Sequence, residues 1–88
     1  MGLKLEHLIK CFDNATTVDA NYIAVLIEMK GSNKPEVIII CRENFNSKLE
    51  YYKKAYNEDL TLKACTDIKI VNFVFSNCFD DIEGMLLK

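Results

Sequence analysis

The 88 residues leave room for one domain, and half of them are hydrophobic, nine being Phe or Tyr, so a core can form without disulfide or metal staples. Eleven basic residues against 13 acidic ones give a net charge of −2 with both signs interspersed, which argues against a nucleic-acid partner and is too small for extensive phosphate mimicry. The longest apolar runs are about six residues, far short of the roughly 20 that cross a bilayer, so no membrane partner is expected.

Residues Met1 to His7 lack the long apolar core of a secretory signal, which predicts a cytoplasmic protein, in the host cytoplasm if a phage encodes it. From Leu3 to Asp13 the apolar residues Leu5, Leu8, Ile9 and Phe12 recur at helical spacing and predict a first amphipathic helix, ended by Asn14 and the Thr16-Thr17 pair. Two β-branched runs, Tyr22 to Met29 and Val37 to Cys41, then flank the turn-forming segment Gly31-Ser-Asn-Lys-Pro35 and predict a hairpin. In the first strand Ile23, Val25, Ile27 and Met29 share one wholly apolar face that should meet the helices. The second strand divides Val37, Ile39 and Cys41 from Ile38 and Ile40, so both of its faces want cover.

A second helix is predicted from Asn44 or Asn46 to about Glu58, with Phe45, Leu49, Tyr52 and Tyr56, and Leu60 beyond, as its inner stripe. Glu50 stands four residues before Lys54, the favourable order for an exposed ion pair, and Tyr51 points away from the stripe. Residues Asp59 to Asp67 read equally as a helix extension or a loop. A third strand is expected over Ile68 to Phe75, with Ile68, Ile70 and Val74 on one face and Val71, Phe73 and Phe75 on the other. A closing helix over Phe79 to Leu87, capped by Asn77, places Asp80 and Asp81 where they complement the helix dipole. The expected architecture is a single α+β domain over residues 1–88, in the order α-β-β-α-β-α, with a three-stranded, mainly antiparallel sheet packed with helices. The first strand is central if the chain crosses over it between strands two and three; the alternative sets strands two and three side by side in parallel.

Chemistry-bearing residues are sparse. Cys11, Cys41, Cys65 and Cys78 are scattered with no Cys-x-x-Cys pair, and Cys11 and Cys41 fall within apolar patterns, so reduced structural thiols are expected. His7 and Cys11 lie one helical turn apart and supply half of a metal site that Cys65 and Cys78 would have to complete; the wheel instead places His7 well outside the apolar face and Cys11 at its edge. Asp80, Asp81 and Glu83 do not share a helical face, and the three glycines form no phosphate-binding loop. No catalytic residue, metal or cofactor is expected. Lys48, Lys53 and Lys54 around Tyr51 are the nearest approach to a nucleic-acid surface, diluted by Glu50 and Glu58.

With the apolar hairpin before it and Phe79-Asp-Asp-Ile82 after it, the helical stretch Glu43 to Leu60 resembles small accessory proteins encoded by phages and prophages of low-GC Gram-positive bacteria. In length and mixed αβ character the chain is similar to anti-CRISPR proteins of such phages. That resemblance implies a non-enzymatic protein that binds a host macromolecule and blocks a defence nuclease, and it brings no catalytic residues with it. Many such proteins are strongly acidic, whereas this chain is nearly balanced, which speaks against imitation of DNA. A small-ligand-binding homo-oligomer and a weak nucleic-acid-binding module are the alternatives. Tyr51, flanked by Lys48 and Lys54, is the expected contact to a partner. A homodimer is also expected, because Leu26, Ile38 and Ile40 are read as projecting opposite the main apolar face with only the closing helix to cover them.

Overall fold

The computed structural model describes residues 3–78 and Ile82. It is a small α+β domain in which helix α1 (Leu5–Thr17), strands β1 (Tyr22–Met29) and β2 (Glu36–Cys41), a 3-10 turn (Arg42–Asn44), helix α2 (Phe45–Ala55), and strands β3 (Thr61–Leu62) and β4 (Cys65–Ser76) follow in order. The sheet has four strands rather than the expected three, in the order β2-β1-β4-β3, and every neighbouring pair is antiparallel. β1 is central. The parallel alternative is thereby excluded: β2 and β4 lie on opposite sides of β1, joined through α2 and β3. The closing helix expected over Phe79 to Leu87 lies outside the described residues except for Ile82, which is helical and buried.

Helix α1 starts two residues later than expected and runs four residues further. Thr16 and Thr17 do not stop it, because their hydroxyls donate to the carbonyls of Phe12 and Asp13 one turn back and are satisfied inside the helix. It ends where Asp19 takes a left-handed backbone, φ 59°. At its other end the Nδ1 of His7 accepts the Lys4 N–H at 3.0 Å, using one of the donors that a helix start leaves without a partner. The face turned to the sheet is Leu8, Cys11, Phe12 and Ala15, so Cys11 belongs to the core and not to its edge.

Helix α2 ends at Ala55, three residues short of the expected limit, and Tyr56 and Leu60 remain in the core from an extended segment and a turn. Tyr56 bridges to Leu62, and the segment left open between helix and loop becomes β3 and the hairpin into β4. The turn is held by Asp59, whose Oδ1 accepts the N–H of Thr61 at 3.1 Å and its hydroxyl at 2.5 Å; these bonds hold the carboxyl below the usual carboxylate range. Leu60 follows with φ 71° and a fully buried side chain.

The two sheet faces are sorted by pairing. Ile23 lies opposite Ile40 and Val25 opposite Ile38, so these four residues share the face under α1 and α2. This corrects the expectation that Ile38 and Ile40 project to the far side; there the β2 contribution is Val37 and Ile39. On β4 the register slips between Leu26 and Ile27: Leu26 faces Asn72 but Ile27 faces Ile70, and Val71 is the extra residue of a β-bulge. The bulge resets the alternation. Ile68 and Ile70 before it and Phe73 and Phe75 after it therefore all pack on the helix side, which strict alternation had divided between the two faces. Val71 and Val74 join Ala24 and Leu26 on the far side, where Ile82 packs against them.

Candidate partner-binding surface

Amphipathic spacing sets the outward direction on α2. Phe45 and Tyr52 are buried against Phe12 of α1, with ring centroids 6.0 Å away in each case, and Leu49 is half buried. The opposite side of the helix is left to Lys48, Tyr51 and Lys54, all exposed. Tyr51 is 49 % exposed, the most open aromatic ring among the described residues. It is not a loose side chain: its centroid lies 5.3 Å from Tyr52 and 6.3 Å from Tyr56, both edge-to-face. The Lys48 ammonium sits 5.7 Å from the Tyr51 ring centre, within cation–π range. A ring braced from beneath has little rotamer freedom left to lose, so a partner that covers it gains apolar contact at a small entropic cost.

The electrostatics of this face differ in one respect from the expected pairing. Glu50 reaches Lys53, three residues on, at 3.8 Å, and not Lys54. Lys54 makes no ion pair among the described residues and is available to an acidic partner. The tyrosines beneath are kept neutral: burial pushes the Tyr52 hydroxyl up strongly and raises that of Tyr56, and the closeness of Tyr51 to both, and of Tyr56 to Tyr52, adds to the effect.

His7, Cys11, Cys65 and Cys78 provide no second site of this kind. His7 and Cys11 line a shallow groove between α1 and β4 together with Lys10, Asn14, Phe73 and Phe75. The imidazole is engaged at the helix start, and burial pushes the Cys11 thiol up to about 11, so it is neutral and a poor nucleophile at physiological pH. Cys65, Cys78 and also Cys41 are exposed free thiols; the apolar pattern around Cys41 had suggested burial, but the residue stands at the open end of β2. Among the described residues no three His, Cys, Asp or Glu side chains converge as a metal would require, and Asp80, Asp81 and Glu83 lie outside them. No described helix is long and apolar enough to cross a membrane.

One polar cluster joins residues that are far apart in the sequence. Arg42, the only arginine, donates to Asp19 at 2.5 Å and to the Asn21 side-chain oxygen, while Asn21 donates to the Asn77 carbonyl at 3.3 Å and takes the Asn77 side-chain oxygen on its N–H at 3.1 Å. These bonds tie the ends of α1, β2 and β4 to the start of β1. Their sequence separations of 21 to 56 residues leave no local signal.

Comparison with known proteins finds no matching family model, no matching curated protein and no matching solved structure.

Proposed function

We propose that the chain is a non-enzymatic accessory protein of phage or mobile-element origin that binds a host protein, an inhibitor of a host defence nuclease being the reading that its texture favours. The observation that carries the binding role is the α2 face, where Tyr51 is half exposed yet braced by two buried tyrosines and flanked by two lysines. Tyrosine is among the residue types that dominate binding energy when a partner desolvates them, and the lysines beside it suit the polar rim of such a contact. The only histidine, His7, is engaged at a helix start and Cys11, its neighbour one turn on, is buried and neutral, so the two do not form a nucleophile–base pair, which supports a role without catalysis.

The test is affinity capture from lysate of a low-GC Gram-positive host with the native chain and with Tyr51→Ala in parallel, followed by a cleavage assay on the captured nuclease. A defence nuclease enriched by the native chain, lost with Tyr51→Ala and slowed in cleavage by the native chain supports the reading. Equal recovery with both chains removes the α2 face from the interface, and undiminished cleavage removes inhibition from the function.

A further inference from the structure

We infer that the outer edge of β2 is a self-pairing surface, and that two copies of this chain join their β2 strands antiparallel about a two-fold axis at Ile39 into one eight-stranded sheet. β2 is the long edge of the sheet, and among the described residues nothing pairs with its outer side. The other edge is β3, only two residues long. Edge strands are ordinarily blunted by an internal lysine or proline, by a bulge, or by shortness. β2 reads Glu36-Val-Ile-Ile-Ile-Cys41, pairs with β1 without a register shift, and has its nearest proline outside it at Pro35.

Backbone polarity sets the register. The Arg42 N–H donates to the Asn21 carbonyl at 2.9 Å, and the pair Asn21 and Arg42 continues the β1–β2 ladder. In an antiparallel ladder the hydrogen-bonded pairs alternate, so Ile40, Ile38 and Glu36 likewise turn their N–H and C=O groups toward β1. Val37, Ile39 and Cys41 turn theirs outward. A second β2 meets them in a hydrogen-bonded register when Ile39 faces the Ile39 of the other copy and Val37 faces its Cys41. That same register sets Glu36 opposite Arg42, the first residue past β2, at both ends; the half-exposed guanidinium holds Asp19 and Asn21 of its own chain and keeps further N–H donors for the incoming carboxylate. Sliding by two residues in either direction keeps the backbone bonds but breaks these charge pairs, so charge complementarity selects the register centred on Ile39. The arrangement also sets Ile39 beside its own copy on the face away from the helices, extending the apolar surface formed by Ala24, Leu26, Val37 and Val71.

The experiment is disulfide trapping with a solution mass. In a background of Cys41→Ser, Cys65→Ser and Cys78→Ser, which leaves only the buried Cys11, Ile39→Cys is oxidised under mild conditions. Directly opposed residues of a hydrogen-bonded pair have Cα atoms about 5.5 Å apart, within disulfide reach. A covalent dimer is expected for Ile39→Cys, and none for Val37→Cys unless Cys41 is retained. The native chain should shift from its monomer mass of 10.1 kDa toward twice that with rising concentration, and Ile39→Pro should hold the monomer mass with an unchanged far-ultraviolet spectrum. Monomer mass at every concentration together with no cross-link from Ile39→Cys overturns the inference, and that would leave the edge to an extended peptide of another protein. Equal cross-linking by Val37→Cys without Cys41 overturns the register. The trapping holds whether or not Ile39→Pro folds, and it does not involve the α2 face.

Discussion

Lys48 and Tyr51 stack on the outer side of α2, ammonium 5.7 Å from ring centre, over a layer of two tyrosines that belong to the core. The pair couples a stable scaffold to an open surface, since the same rings that fix Tyr51 also pack on Phe12 of α1 through Tyr52.

Tyr51→Ala is therefore expected to cost about 1 kcal/mol or less, because a half-exposed ring loses edge-to-face contacts but opens no cavity. Thermal melting checks this, and partner capture should fall far more than stability does. Lys48→Ala should change stability by only about 0.5 kcal/mol. A collapse of folding in Tyr51→Ala would mean that the ring is part of the core.

Deletion of Val71 should be far more damaging than its truncation. Val71 is the unpaired residue of the bulge, and without it Ile68 and Ile70 would turn to the far face while Phe73 and Phe75 stayed under the helices. Cooperative unfolding is expected to disappear in the deletion, whereas Val71→Ala, at a half-buried position, should cost about 1 kcal/mol. Denaturant titration distinguishes the two; a well-folded deletion would show that β4 can re-register.

Cys11 supplies a pH dependence with a definite sign. Its thiol is raised from 9.0 to about 11 by burial, so between those values the unfolded chain releases a proton that the folded chain keeps. Stability should fall as pH rises from about 9 toward 11, and Cys11→Ala should remove that part of the slope. At neutral pH an alkylating reagent should modify Cys41, Cys65 and Cys78 and spare Cys11 until the protein is unfolded, as a mass spectrum would show. Rapid labelling of Cys11 would contradict the packing of α1 on the sheet.

Leu60 combines a fully buried side chain with a left-handed backbone, a conformation that is costly for a bulky residue. Leu60→Ala should lose about 2–5 kcal/mol by emptying its place in the core. Leu60→Gly should be no worse, since glycine adopts the positive φ freely and recovers about 1 kcal/mol of backbone strain. Chemical denaturation of the two variants gives the comparison, and a glycine variant clearly weaker than the alanine one would refute the strain.

Much of this molecule follows from residues close together in the chain. The α+β class, α1, the β1–β2 hairpin, the helix-facing side of β1 and the outward direction of Tyr51 are all carried by spacings of two to four residues, which local backbone geometry converts directly into faces. What the sequence left undecided depends on meetings between distant segments. The central place of β1 had a parallel rival until β4 paired with it, and β3 exists only because Thr61 and Leu62 find β4. The sorting of Ile38, Ile40, Phe73 and Phe75 onto one face needed the register of two ladders and the bulge at Val71, where one inserted residue inverts an alternation that nothing local marks. Cys11 entered the core because α1 turns that side toward β4, and Arg42 found Asp19 across 23 residues. Periodicity tells each segment which face is apolar, but only the packed partners decide which apolar face is inside, because burial is a property of the pair and not of the strand.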